Sequence, residues 1–426
     1  MAKVEGEEVE YIELLKDEGG GLLYEEGIAT ISFYKGDFKK AVDALRIQFR
    51  AVITANPWLA GQLVTRDGKV TIRHSSIPSV EEIDKLFTST SADDTAAFKL
   101  SSTSTYVKTC NDMYNSQKVI VAAGSSLLDQ NKPLCILTLS ESKPGEFALI
   151  FSITHAIADG RTYYEVLQML TPGSRVWSMT TERIQTFSET MRDQCGRKEL
   201  EWGDTTSTAC LYTCAMVPAM FGCSRATRCV AFEVDSNRVT NAKEAAVSSS
   251  KGEVSYVTTN DILTSAFFNE CSTRIGMMGM DCRTRIDNIS KDLAGNYVTV
   301  LTMDQDTFGT PAAVRKMLSS TPHQTTMRPL PSCCKWMCCR DSAKFAMSVN
   351  WATFAGNIVT FDECELSVHL PVHNPAYVMF DLMVPFALGG GKTGVMCWTV
   401  SSDEDGLRNA LPVGDCVSRD LFPVQP

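Results

Sequence analysis

The 426-residue chain has no uninterrupted apolar run of about 18 residues, the length at which a membrane span is expected. The nearest stretch, Ala209 to Cys223, is shorter and holds Pro218. There is no basic excess either. Forty Lys and Arg face fifty Asp and Glu, a formal charge of −10, which argues against a nucleic-acid-binding face. The first residues carry neither an apolar core nor an arginine, so no secretory signal or transit peptide is expected there. Ser125-Ser126 has no G-x-S-x-G around it and so lacks the nucleophile elbow of a serine hydrolase. Gly390-Gly-Lys-Thr393 lacks the leading glycine of a phosphate loop, because Phe386 stands five before Gly391, and a strand rather than a helix follows. Sixteen cysteines in a chain of this length do not make a disulfide scaffold. Together these absences set the expectation of a cytoplasmic, soluble protein with reduced thiols.

What is present is ordinary globular material, 44% hydrophobic and 21% charged. The length suggests about two to three domains' worth of chain, and no fixed-period repeat marks a solenoid. Cys333-Cys334-Lys-Trp-Met-Cys338-Cys339 is unusual, since on a helix Cys334 and Cys338 would share a face. Without a second Cys-x-x-Cys pair to close four ligands, plain buried or oxidation-prone thiols are a better reading than zinc or a lipid-modified loop.

Ile28–Tyr34 reads as a strand, and Asp37 can cap a helix whose Phe38, Val42, Leu45 and Phe49 fall on one face. Asn56-Pro57 ends that helix, and Trp58–Val64 with Lys69–Arg73 forms a hairpin across Arg66-Asp-Gly68. Leu134–Leu139 and Phe147–Thr154 are strands joined at Lys143-Pro-Gly145. The region 195–250 is less regular and suits a crossover between halves. The second half opens with a strand at Glu253–Thr258 and a helix over Thr259–Arg274. Strands follow at Gly279–Ile286, Gly295–Leu301, Phe345–Trp351, Tyr377–Val384 and Gly394–Val400. The expected division is therefore an N-terminal lobe over 1–195, a crossover over 196–250 and a C-terminal lobe over 251–426.

The sharpest local feature is Ile153-Thr-His155-Ala-Ile-Ala-Asp159-Gly160, set between a buried-type strand and a helix expected from about Thr162. Thr162 and Glu165 have capping-box spacing, with Tyr163, Val166, Leu167 and Leu170 on the apolar face. His155 thus stands on a loop that can hold it rigidly, with an ordinary pKa near 6.5 that suits a general base. Asp159 is placed to hold the loop, and Gly160 to permit a tight bend. A lone histidine at a strand end is more often structural than catalytic, but this one is not alone. His369-Leu-Pro-Val-His373 has HxxxH spacing, yet Pro371 forbids the helix that would align both rings, so a strand end or loop is expected.

The pattern HxxxDG between strand and helix resembles the signature of the CoA-dependent acyltransferase superfamily, which includes plant-type BAHD enzymes, chloramphenicol acetyltransferase, wax-ester synthases and nonribosomal peptide condensation domains. Flanking stretches come in the expected order. Asn56-Pro-Trp-Leu-Ala-Gly61 looks like the family's early "hPwLaGrl", and Val254–Leu263 resembles the segment opening its second half. Asp281-Cys-Arg283-Thr-Arg285 with Gly295-Asn296 is similar to R-x-R…GN, Ser348-Val-Asn350-Trp351 to the S/T-x-W step, and Gly389–Val400 to the last glycine-led strand.

The resemblance implies a two-lobed α/β chloramphenicol-acetyltransferase-like fold, each lobe a mixed β-sheet flanked by helices, with a tunnel between the lobes. It implies that His155 deprotonates a small-molecule alcohol or amine, which attacks an acyl-CoA thioester. CoA is then a cosubstrate, with no bound cofactor or metal, in a monomer. Asp159 would pair with an arginine, Arg283 or Arg285, and Asn350 would donate to the tetrahedral oxyanion. Departures are Thr154 in place of the first histidine of HHxxxDG, Phe361–Ser367 in place of DFGWG, and Val349 where Ser or Thr belongs. The alternatives are a condensation-type enzyme taking carrier-bound acyl groups, which the acidic balance disfavours, and a non-catalytic binding protein on the same scaffold.

Overall fold

The computed structural model describes residues 8–20, 24, 27–93, 105–116, 118–195, 228–319, 344–373 and 380–417. Ala209–Cys223 and the cysteine cluster at 333–339 lie outside them. Among the described residues no helix is long and apolar enough to cross a membrane.

The strands are β1 (Val9–Glu13), β2 (Gly27–Lys35), β3 (Gln62–Arg66), β4 (Lys69–Ser75), β5 (Phe87–Thr90), β6 (Cys135–Lys143), β7 (Glu146–Thr154), β8 (Arg228–Val234), β9 (Ile275–Asp281), β10 (Val298–Met303), β11 (Phe345–Ser348), β12 (Glu365–Val372), β13 (Asp381–Gly389), β14 (Lys392–Thr399) and β15 (Val413–Cys416). The longer helices are α1 (Phe38–Ala55), α2 (Tyr106–Ser116), α3 (Gly160–Met169), α4 (Phe187–Cys195), α5 (Ser236–Ser249), α6 (Thr259–Glu270) and α7 (Pro311–Ser319).

A five-stranded sheet runs β12-β2-β7-β6-β5 and a seven-stranded sheet β10-β9-β11-β13-β14-β8-β15, with β1-β4-β3 forming a small third one. Both larger sheets are mixed, since β5 lies parallel to β6, and β11 parallel to both β9 and β13. β2 and β7 are buried along nearly their whole length, which explains why both read as continuous apolar runs rather than alternating ones. On α1, Asp37 accepts from the Lys40 amide and the expected apolar face buries Leu45, Phe49 and Val52 against the first sheet's Leu137, Leu149 and Phe151. The second sheet covers α6 through Leu263, Phe267, Met278, Leu301 and Met383. A third apolar cluster joins the two sheets, with Ile31, Phe33, Ile150 and Leu370 against Val384, Phe386, Met396 and Trp398.

Several local expectations change. Residues 253–258 are not a strand: the Thr258 side chain accepts from the Asp261 amide and Asp261 from the Thr258 amide, a reciprocal cap that starts α6 there. The region 195–250 contributes β8 and, behind the Asp235 cap, the whole of α5. His369 and Pro371 lie inside β12, an edge strand, where a residue without an N–H is tolerated. The division of the chain into 1–195, 196–250 and 251–426 does not follow the sheets at two strands. β12 crosses back to pair with β2, and β8 belongs to the seven-stranded sheet.

The shared cluster is expected to make the lobes one cooperative unit. Phe386→Ala is expected to cost about 3–5 kcal/mol, the usual loss for a buried phenylalanine. Urea unfolding followed by near-ultraviolet circular dichroism should keep a single transition at a lower midpoint. Two separated transitions in the wild-type protein would show that the cluster does not couple the lobes.

Candidate active site

β7 ends at Thr154, and the chain turns through His155, Ala156 and Ile157 before α3 begins at Gly160. The cap differs from the expected one. Asp159 is the N-cap, its Oδ1 accepting from the Thr162 amide at 2.8 Å, while Glu165 instead meets the Arg161 guanidinium at 3.2 Å. A buried carboxylate at the helix start outcompetes a hydroxyl two residues inside it, because it also answers the positive end of the helix. Gly160 does not take a positive φ, so its small size serves packing rather than a bend. A Cβ there would sit 3.3 Å from Trp351 Nε1 and 3.9 Å from Phe354 Cε2, atoms on the second lobe's side of the seam.

Of the two arginines left open by the sequence, Arg283 meets Asp159 and Arg285 does not. Arg283 Nη1 donates to Asp159 Oδ2 at 2.6 Å and to Asp281 Oδ1 at 3.1 Å. Its Nη2 donates to Thr162 Oγ1 at 3.0 Å and the Gly295 carbonyl at 2.9 Å, and its Nε to the Leu293 carbonyl at 2.9 Å. The Tyr297 amide adds a 3.1 Å bond to Asp159 Oδ2. Both side chains of the pair are buried, 0% and 1% exposed. Burial alone would raise the Asp159 pKa, but the Arg283 charge and these donors outweigh it and hold the carboxyl below its usual range. Because β9 ends at Asp281, Arg283 stands in a turn and can reach inward. Arg285 is exposed in the same turn and lines a surface cavity of about 370 Å³ formed by residues 284–290.

His155 is half-buried, and burial lowers its pKa below 6.5. Its own carbonyl, Asp159, the Asn296 side chain and Glu18 oppose that shift without cancelling it, so the imidazole is neutral at physiological pH. Nδ1 is buried and has no hydrogen bond within ordinary geometry among the described residues. The His155 carbonyl accepts from Asn296 Nδ2 at 2.7 Å.

A second buried ion pair supports the same loop. Arg183 Nε donates to Glu18 Oε2 at 2.9 Å with both side chains fully buried, Nη2 reaches the Ile157 carbonyl at 3.2 Å, and Nη1 reaches the Ala294 carbonyl at 2.8 Å. Glu18 Oε1 accepts from the Asn296 amide at 2.8 Å and from Asn296 Nδ2 at 3.1 Å. Gly295 allows this crossing, since it sits at φ 120° and a Cβ would lie 2.6 Å from Arg183 Cζ. Sequence reasoning missed Glu18 and Arg183, which are 165 residues apart in unremarkable surroundings. Gly295-Asn296 stands out in the sequence only for its likeness to the R-x-R…GN strand pair.

Asn350 is half-buried beyond the end of β11, and its Oδ1 accepts from the Ala352 amide at 2.9 Å at the start of a short 3-10 helix. The expected strand Phe345–Trp351 therefore stops at Ser348, whose hydroxyl is bonded to Thr264 Oγ1 at 3.2 Å. Among the described residues Nδ2 of Asn350 has no partner. His369 is satisfied on both nitrogens, by Ser32 Oγ at 2.7 Å and Tyr164 Oη at 3.1 Å, and burial lowers its pKa to about 3, so it is a neutral structural histidine. His373 packs edge-on against Trp398, with burial lowering its pKa to about 4. An open cavity of about 600 Å³ lined by Arg228, Cys229 and Asp403–Asp405 does not include His155.

Two lobes built on mixed sheets, flanked by helices and joined at this loop, define the chloramphenicol-acetyltransferase-like fold, and the chain has that fold. TRI3 trichothecene 15-O-acetyltransferase from Fusarium sporotrichioides matches with a TM-score of 0.56 at 10% identity over 94% of each chain. F. sporotrichioides TRI101, complexed with coenzyme A and T-2, matches with a TM-score of 0.51 at 13% identity over 94% of this chain and 96% of the other. The first condensation domain of the calcium-dependent antibiotic synthetase, bound to a substrate analogue, matches with a TM-score of 0.56 at 9% identity over 94% of each. No family model and no curated protein matches the sequence.

Arg283→Met leaves Asp159 buried without its cation and is expected to cost about 3–5 kcal/mol. Because the folded pKa of Asp159 is depressed, its stabilisation is present above the unfolded carboxyl value of about 3.9 and is lost as pH falls through the folded value. Without the cation burial raises the carboxyl's folded pKa instead, so protonation relieves the penalty in the variant, and in urea titrations across pH 3–7 the stability gap between wild type and variant should narrow as pH falls. A gap that stays constant with pH would contradict this account of the pair.

Proposed function

We propose that the protein transfers an acyl group from acyl-CoA to the hydroxyl or amine of a small molecule, with His155 as general base. The observation that carries this reading is a neutral, half-buried histidine on a loop fixed by two buried ion pairs, at the seam of two lobes. Unprotonated at operating pH, such a group is ready to accept a proton. Likeness in fold to TRI3 and to the coenzyme A complex of TRI101 supports the choice of acyl donor.

In the proposed reaction His155 Nε2 takes the proton from the acceptor as its oxygen or nitrogen bonds to the thioester carbonyl carbon. The carbonyl electrons move to oxygen, and Nδ2 of Asn350 is the donor assigned to that oxyanion. Hydrogen bonds held in place before reaction stabilise such charge most effectively. The intermediate collapses by breaking the C–S bond, and the departing sulfur of CoA recovers the proton from the His155 imidazolium. Asp159 takes no part in proton transfer, because Arg283 and two amides occupy its oxygens. The passage for CoA and acceptor is proposed to run between the lobes.

A panel of acyl-CoA thioesters with free-thiol detection, run against alcohols and amines, tests the reading. His155→Ala should lose roughly 10²–10⁴-fold in kcat, the range of a general base, with an unchanged circular dichroism spectrum. Wild-type turnover in that variant would refute the assignment. In the active protein kcat/KM should rise with pH through an apparent pKa below 6.5 and stay level at neutral pH, since the base works only when unprotonated.

The condensation-domain likeness favours a second reading, in which the acyl group arrives on a carrier protein. The net charge of −10 weighs against docking an acidic carrier. Preference for carrier-loaded thioesters over CoA thioesters would select it. Absence of turnover with either, together with tight binding of CoA or of an acceptor, would select a binding protein on this scaffold.

A further inference from the structure

Asn296 contains an orphaned atom beside another. Its Oδ1 is buried without a partner, and so is Nδ1 of His155, the residue whose carbonyl its Nδ2 holds at 2.7 Å. The orientation of this amide follows from chemistry. Its nitrogen lies between two pure acceptors, the Glu18 carboxylate at 3.1 Å and the His155 carbonyl, so that end must be the NH2 and the other end must be the oxygen. A neutral imidazole has one N–H, and a buried carbonyl oxygen with no donor is a costly neighbour unless that N–H serves it.

We propose that Asn296 is the orienting partner of the His155 imidazole, its amide oxygen receiving the Nδ1 proton, and that the Glu18–Arg183 ion pair holds the amide in the orientation this requires. The proposal rests on the reading of His155 as the base, and it deepens that reading by fixing which nitrogen is bare. With the proton on Nδ1, Nε2 presents its lone pair to the acceptor. Asn296 is thus a positioning residue, acting on the reaction through His155. The charged groups around the ring are Asp159 and Glu18, each tied to its own guanidinium, Arg283 and Arg183. That pairing leaves the neutral amide as the side-chain acceptor for the ring. The carbonyl of His155 itself is the competing acceptor for Nδ1, and it already accepts from Asn296.

The arrangement is tested by nuclear magnetic resonance of the full chain labelled with 15N-histidine, without substrate, the His155 signals being identified by their loss in His155→Ala. At pH 8 the wild-type protein should show Nδ1 protonated and Nε2 bare, with a nuclear Overhauser effect between the Nδ1 proton and the Asn296 side-chain amide protons. Asn296→Ala should give a mixture of tautomers and a ring that titrates at lower pH, because an acceptor favouring the cation has been removed. If turnover is present, kcat should fall roughly 10–100-fold with little change in KM, by analogy with the loss when the hydrogen-bond partner of a metal-bound imidazole is removed. A wild-type proton on Nε2 overturns the proposal, as does absence of the Overhauser effect, or an Asn296→Ala spectrum and titration identical to wild type. Should Asn296→Ala not fold, the wild-type spectrum alone decides. These spectra do not depend on turnover. An inactive wild type with the expected tautomer refutes the acyltransfer reading and leaves the orientation standing. An active enzyme with the proton on Nε2 does the reverse.

Discussion

Arg283 has five N–H groups, and all of them are used inside the protein: on Asp159, Asp281, Thr162, Gly295 and Leu293. A guanidinium taken out of water is costly, and the cost is met only when every donor is matched and the counter-charge is in contact. That requirement fixes the relative positions of three pieces of chain at once. The β7–α3 loop must bring Asp159, the turn after β9 must bring the arginine, and the 293–297 strip must bring two carbonyls and an amide. Buried pairs of this kind add little to stability compared with an apolar replacement, so their value here is positional. The loop bearing His155 is held because the arginine has no other satisfactory place.

The Glu18–Arg183 pair repeats the device from the other side of the loop, and the two pairs together set the electrostatics of the imidazole. Each carboxylate near His155 is neutralised by contact with its own arginine. Both still favour the imidazolium, but burial is the larger effect and decides the direction of the His155 pKa. A neutral imidazole thus sits beside two acidic residues without being charged by them. Asp159 at sequence distance four looks like a partner of the histidine, yet its oxygens face Arg283 and the backbone.

The sequence made legible what depends on local periodicity. The runs that became β2, β6 and β7 were readable because both faces of these strands are buried, and α1 was readable from its cap and stripe. The His155–Gly160 loop was readable because strand, loop and helix follow one another in the chain. What was not legible depends on distant approach. Nothing near Glu18 announces Arg183, and the reason for Gly160 lies in Trp351, in the segment that follows β11 of the other sheet. Strand β12 was hidden because Pro371 reads as a breaker, although at a sheet edge its missing N–H costs no ladder bond. The cap of α3 was misplaced for a related reason. Thr162 has the right spacing for a cap, but its hydroxyl is committed to Arg283 and Gly295, partners that only the folded chain supplies.

These dependencies mean that the candidate site and the seam between the lobes form together. The Trp351 amide is bonded to the Pro385 carbonyl at 2.8 Å, which ties the indole to the second sheet, while its ring lies against Gly160 and Tyr164 of the first lobe. Arg283 reaches Asp159 from the second sheet in the same way. The first lobe alone would bury or expose Asp159 without a cation, and the second alone would carry a guanidinium left with only the partly exposed Asp281 and an amide, Asn296, with no loop to hold. Each lobe is therefore polar and unsatisfied where it meets the other, and docking satisfies those groups only in one register. The apolar cluster beneath supplies the driving force for association, and the matched charges select the geometry in which His155 is fixed.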